Sequence, residues 1–146
     1  MRALLAAILL AGVATPAAAE EWYYVTDDGG GIVYADADSV RQAGEAVAVR
    51  GFFGSFGPMD DAEVPLWYAI SQFEFICSNG QYRVTHTDSY DANHNLARST
   101  DEFEEWASVP AESLAWYLRQ FACDGVRLEA VPNPFDDTDA YFDTDL

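Results

Sequence analysis

Apolar and polar positions alternate through most of residues 22–100, and a two-residue period predicts strands. Residues 22–26 (Trp22 to Thr26) are aromatic and β-branched, and 32–35 follow after a turn at Asp27-Asp28-Gly29-Gly30-Gly31, where glycine accepts positive φ. Residues 45–53 form a third strand with Val47, Val49 and Phe53 on one face. Residues 67–77 carry the strongest alternation. Trp67, Ala69, Ser71, Phe73, Phe75 and Cys77 share one face, and Gln72 and Glu74 lie on the other. Asn79-Gly80 turns the chain into a hairpin with 81–88, and 96–100 add a short strand. Between these segments, 36–44 hold Asp and Ser caps and a Gly stop and predict one short helical turn. Residues 54–65, rich in Gly, Pro and Asp, predict a mobile surface loop.

The period changes once. Residues 110–122 predict a helix. Pro110 suits the first position, Glu112 the first turn, and Leu114, Tyr117, Leu118 and Phe121 make the buried stripe. Cys123 would fall opposite that stripe on a continued helix. The helix is therefore expected to stop near Ala122, with Asp124-Gly125 helping to turn the chain. Residues 132–146 hold Asp136, Asp137, Asp139, Asp143 and Asp145 without periodicity and read as an acidic disordered tail.

Residues 1–19 change the picture from domain to compartment. Arg2, the apolar run 3–13, Pro16 and Ala17-Ala18-Ala19 form a secretory signal peptide, cut before Glu20. The run is shorter than the roughly 20 residues a spanning helix needs. No cysteine follows it, so the expected product is exported to the periplasm or beyond, not lipid-anchored, with one domain over 20–131. Losing Arg2 but no acid moves the formal net charge from −18 to −19, and the chain contains no Lys. Such a surface repels nucleic acid and anionic lipid and favours cations or basic protein surfaces. The two cysteines, Cys77 and Cys123, meet an oxidising compartment, where an even count predicts a disulfide. In the chain-entropy account, closing that loop stabilises the fold by roughly 4 kcal/mol.

Candidate chemistry is sparse. Asp91, Asn93, Asn95 and Glu102 match oxygen-ligand positions of a calcium loop, but Leu96 stands where the sharp turn needs Gly. Cation binding by this Asp91–Glu102 loop or by the acidic tail is the alternative reading. His86 and His94, with Asp88 and Asp91 between them, lack the tight spacing of a zinc site. Ser39, Ser71 and Ser113 lie in no nucleophile-elbow pattern, and Gly29 to Gly31 separate two strands instead of opening a helix. Neither a catalytic constellation nor a cofactor motif is assigned, and a hydrolase is the least favoured alternative. The many aromatic residues are expected to fill a core between sheet and helix. Phe53 belongs there, whereas Phe56 suits either the core or a partner.

Several segments taken in order resemble a known family. They are Val33-Tyr34-Ala35-Asp36-Ala37-Asp38-Ser39-Val40, Gly44, Val47-Ala48-Val49, Phe73-Glu74-Phe75-Ile76-Cys77, Tyr82-Arg83, Trp106 to Ser113, and Cys123. The chain resembles surface-adhesin protein E of proteobacteria. The resemblance implies an antiparallel sheet with a C-terminal helix laid on its concave face and tethered by a disulfide. It also implies binding of host matrix and serum proteins, although no binding segment of the adhesin maps onto particular residues here. The combined expectation is an α+β domain of about five to six antiparallel strands and one covering helix. Its expected role is a non-enzymatic binding or structural module for a protein or envelope component.

Overall fold

The alternating segments become strands that each pair with the next in sequence. The structure, a computed structural model, describes residues 20–60, 63–102 and 104–143, and the expected signal peptide lies outside them. The strands are β1 (Trp22–Asp27), β2 (Gly31–Ala43), β3 (Ala46–Ser55), β4 (Tyr68–Ile76), β5 (Gln81–Tyr90) and β6 (Leu96–Asp101). Two-residue strands β7 (Ala107–Ser108) and β8 (Ala130–Val131) pair with β5 and β1. The sheet runs β6-β5-β4-β3-β2-β1-β8 and every pairing is antiparallel. The described residues thus hold eight strands and two helices, α1 (Leu114–Asp124) and α2 (Pro134–Asp143), where five to six strands and one helix were expected. The additional strands are too short to leave a periodic signal.

Residues 36–43 are strand, not a helical turn. The Asp and Ser side chains that suggested helix caps serve an irregularity in the β2–β3 register between Asp36 and Arg41. Asp36 accepts from the Asp38 amide, Ser39 donates to the Asp36 carbonyl, and the Arg50 amide donates to Ser39 Oγ at 2.8 Å. Asp36 itself is buried and neutralised by Arg50, whose Nε donates to it at 3.0 Å. A buried carboxylate requires such a partner.

Period-two alternation sends side chains to two faces, and each face has its own core. One face carries Val33, Ala35, Val49, Phe73 and Phe75, covered by Leu118 and Phe121 of α1. The helix begins at Leu114, later than the expected Pro110. Pro110 accepts from Ser113 in a preceding turn, and Ser113 caps the helix by accepting from the Trp116 amide at 3.2 Å. The helix also continues past Ala122 through Asp124 and closes on Gly125. Cys123 therefore sits in its last turn. Of the expected stripe, Tyr117, Leu118 and Phe121 pack on the core, joined by Ala115 and Ala122, while Leu114 is 37% exposed. Cys123 packs at the flank of this interface, where it bonds Cys77, with an S–S distance of 2.04 Å.

The opposite face carries Trp22, Ile32, Tyr34, Phe52 and Tyr68. It is covered by α2, formed by residues expected to be disordered. Their charge count hid three local causes of order. Asn133 Oδ1 accepts from the Phe135 amide at 3.0 Å, Asp136 and Asp137 lie in the first turn, and Phe135 has an aromatic face to pack on. Among the described residues, no helix is long and apolar enough to cross a membrane.

Candidate functional site

The antiparallel order gathers the ends of β1, β3 and β5 and the starts of β2, β4 and β6 at one pole of the sheet. The long β3–β4 connection crosses this pole. It is anchored by Phe56 N donating to Gly30 O at 3.1 Å and Met59 N donating to Leu66 O at 2.7 Å. Leu66 is buried, but Phe56, Met59 and Val64 are 53%, 42% and 48% exposed. All three large apolar side chains belong to the one connection. On the α1 side, Met59, Phe53, Gly30 and Leu114 line a shallow cleft. On the α2 side, Phe56, Trp67, Tyr68, Ala92, Asp139 and Phe142 line another of about 450 Å³. Phe142 packs edge-on to Phe56 with ring centroids 5.4 Å apart.

Carboxylates rim this apolar ground. Asp28 borders one cleft, and Asp139 and Asp143 border the other. Arg98 reaches Asp60 at 3.4 Å from the neighbouring strand. Tyr24 donates to Asp27, and burial first, then that carboxylate, pushes the phenol up to about 12. The arrangement offers apolar contact and negative potential, with the Ser55 side chain between the two clefts.

The residues singled out in the sequence disperse. Cys77 and Cys123 join at the opposite pole. Of the calcium-loop positions, Asp91 and Asn95 meet side chain to side chain, but Glu102 does not join them. Asp91 Oδ1 turns inward to accept from the Asn93 and Asn95 amides, both at 2.9 Å, in a hairpin turn. Glu102 lies beyond the far end of β6, roughly 20 Å away at about 3.3 Å per strand residue. His94 joins Asp139 of α2 at 3.0 Å, whereas His86 lies elsewhere on β5. Ser39 serves the β2 irregularity, Ser71 bonds Thr87 at 2.9 Å, and Ser113 caps α1. Phe52 is fully buried beneath α2, and Phe53 packs on Phe73 on the other face.

One grouping escaped sequence reasoning because it forms across strands. His86 Nδ1 lies 2.8 Å from Asp101, its Nε2 3.1 Å from Asp88, and Ser99 Oγ 3.3 Å from the same Nε2. This resembles a Ser-His-Asp array, but general-base work needs a free lone pair on Nε2. Asp101 first, then Asp88, raise the His86 pKa above 6.5 and favour the imidazolium with both nitrogens donating. The group is exposed and reads as a solvated cross-strand ion cluster.

The model of the family described as surface-adhesin protein E matches residues 22–124, from the first residue of β1 to the last of α1. No curated protein matches the chain. Two crystal structures of protein E from Haemophilus influenzae are similar. Crystal form II has 12% identity and a TM-score of 0.47, covering 69% of this chain and 92% of that one. The protein from a non-typeable strain has 12% identity and a TM-score of 0.45, covering 95% and 97%.

Proposed function

The chain belongs to the surface-adhesin protein E family, and from that premise we propose that it is an exported, non-catalytic binding module. Its binding surface is the pole built around the β3–β4 connection. The observation that carries this reading is the exposure of Phe56 and Met59 at clefts bordered by Asp28, Asp139 and Asp143, with Val64 exposed in the same connection. An apolar patch with an acidic rim fits a protein surface that pairs apolar side chains with Arg or Lys. Apolar burial would supply affinity, and opposite charge would supply approach rate and selectivity. A family role in adhesion directs the search toward proteins of the host or of the cell envelope. Cleavage after Ala19 would deliver the domain to the periplasm or beyond.

Biolayer interferometry of the immobilised mature protein against purified matrix and envelope proteins tests this. A genuine partner should bind more weakly in high salt and lose at least tenfold in affinity to Phe56→Ser combined with Met59→Ser. A partner indifferent to both salt and these substitutions would place the binding surface elsewhere.

A further inference from the structure

We infer that α2 is an exchangeable occupant of a helix-receptor face, and that this face takes an acidic, aromatic helical segment of a partner protein in place of α2. The receptor is the aromatic side of β1–β5. Phe135 of α2 enters a box of four rings, with centroids 4.7 Å from Phe52, 4.8 Å from His94, and 5.2 Å from both Tyr68 and Tyr90. Two and four residues further on, carboxylates meet tyrosine hydroxyls. Tyr34 donates to Asp137 at 2.5 Å and Tyr68 donates to Asp139, which also bonds His94. Burial first, and then these carboxylates, push both phenols well above their ordinary 10, so they remain donors throughout the working pH range. The surface therefore specifies an aromatic anchor with a carboxylate at +4 on the same helical face and a second at +2 reaching Tyr34 from the flank.

The hold on α2 is noncovalent and combines ring packing with hydrogen bonds. Its buried residues are Pro134 and Thr138, and Asp136 points to solvent. Unlike α1, it has no covalent tether. It also lies beyond the residues that match the family, 22–124. The connection from α1 is a short stretch carrying β8 and Arg127, whose Nη1 donates to Phe121 O at 2.6 Å. That attachment stays on the α1 side when α2 leaves. Release would uncover a face already shaped for a helix, and a partner would bind only the released fraction.

The test uses the full mature chain and a fluorescein-labelled peptide of residues 132–143. Phe135→Ser with Thr138→Arg disables the chain's own α2, because Arg cannot lie over Gly54, and leaves every receptor side chain in place. Asp137→Ala with Asp139→Ala opens the face without a bulky group. Fluorescence anisotropy should show both opened chains binding the peptide at least tenfold more tightly than the unaltered chain. A peptide carrying Phe135→Ser should not bind. Adding Gly54→Ala to an opened chain should abolish binding, since its Cβ would lie 2.3 Å from Thr138 Cγ2. Equal affinity for opened and unaltered chains would overturn the proposal. So would absence of binding by an opened chain whose α1 amides stay protected from exchange. Dimerisation through traded α2 segments without peptide uptake would overturn it in favour of self-association.

Discussion

The two faces of the sheet are covered by helices of similar length, yet by different physics. Over one face, α1 buries Leu118 and Phe121 and is closed by Cys77–Cys123. Over the other, α2 lays Phe135, Tyr141 and Phe142 on an aromatic core and adds several Tyr–Asp hydrogen bonds. Both helices cross β3 above a glycine, Gly51 beneath Leu118 and Gly54 beneath Thr138. The α1 contact is the end of a flexible side chain, at 3.1 Å from an added Cβ. The α2 contact is a β-branched side chain, at 2.3 Å. Apolar burial gains with every methylene and needs no exact geometry, whereas a hydrogen bond to an accessible carboxylate competes with water. One face is built to persist and the other to be held conditionally.

The strongest way to break this asymmetry is to cut the staple. Cys77→Ser should destabilise the chain by roughly 4 kcal/mol under oxidising conditions, read as a fall in melting temperature. Addition of reductant to the unaltered chain should reproduce it, and an unchanged Tm would mean that α1 holds without the disulfide. Gly54→Ala should come next, and its form is diagnostic. The cost cannot exceed the docking free energy of α2, because undocking relieves the clash. The expected loss is therefore about 1–2 kcal/mol, with α2 amides losing protection in hydrogen exchange while α1 amides keep theirs. Gly51→Ala should cost less, since the end of Leu118 can move. Tyr34→Phe should cost about 1 kcal/mol through the lost bond to Asp137, visible as faster exchange confined to α2.

The smallest effect belongs to the uncovered margin of the α2 side. The His86 pKa is raised by Asp101 and Asp88, so the folded chain binds the proton more tightly than the unfolded chain. Its contribution is fully present below about pH 6.5 and is lost as pH rises through the folded value. Solvent screening keeps it slight. NMR titration should place the His86 pKa above that of a free histidine, and His86→Gln should flatten this part of the stability profile. A titration at or below 6.5 would remove the ion cluster from the account.

The same asymmetry decides what the sequence reveals. The α1 face is legible because apolar periodicity and a cysteine pair are patterns of residue type. The ends of α1 were misplaced, since Ser113 outcompetes Pro110 as the start and Gly125 closes the helix past Ala122. The α2 face is opaque because its information lies in pairs far apart in the chain, such as Tyr34 with Asp137 and Tyr68 with Asp139. A composition test sees only the charge of residues 132–146. Asp36 and Ser39 misled for a related reason, because the groups that cap helices also stitch a strand irregularity. The binding pole is half legible. Gly, Pro and Asp mark the connection, but the exposure of Phe56, Met59 and Val64 depends on how the neighbouring ends converge.

The Cys77–Cys123 bond also sets how the molecule would respond to mechanical load. Tension entering at the N-terminal strand and leaving beyond α1 passes directly between the two sulfurs. The 46-residue interval they bracket, holding β5, β6, β7 and most of α1, is bypassed. At about 3.4 Å per extended residue, roughly 150 Å of chain is withheld from extension until the bond is reduced. A tethered copy would thus lengthen first by peeling β1–β3 and releasing α2, and would stop short of its full contour length.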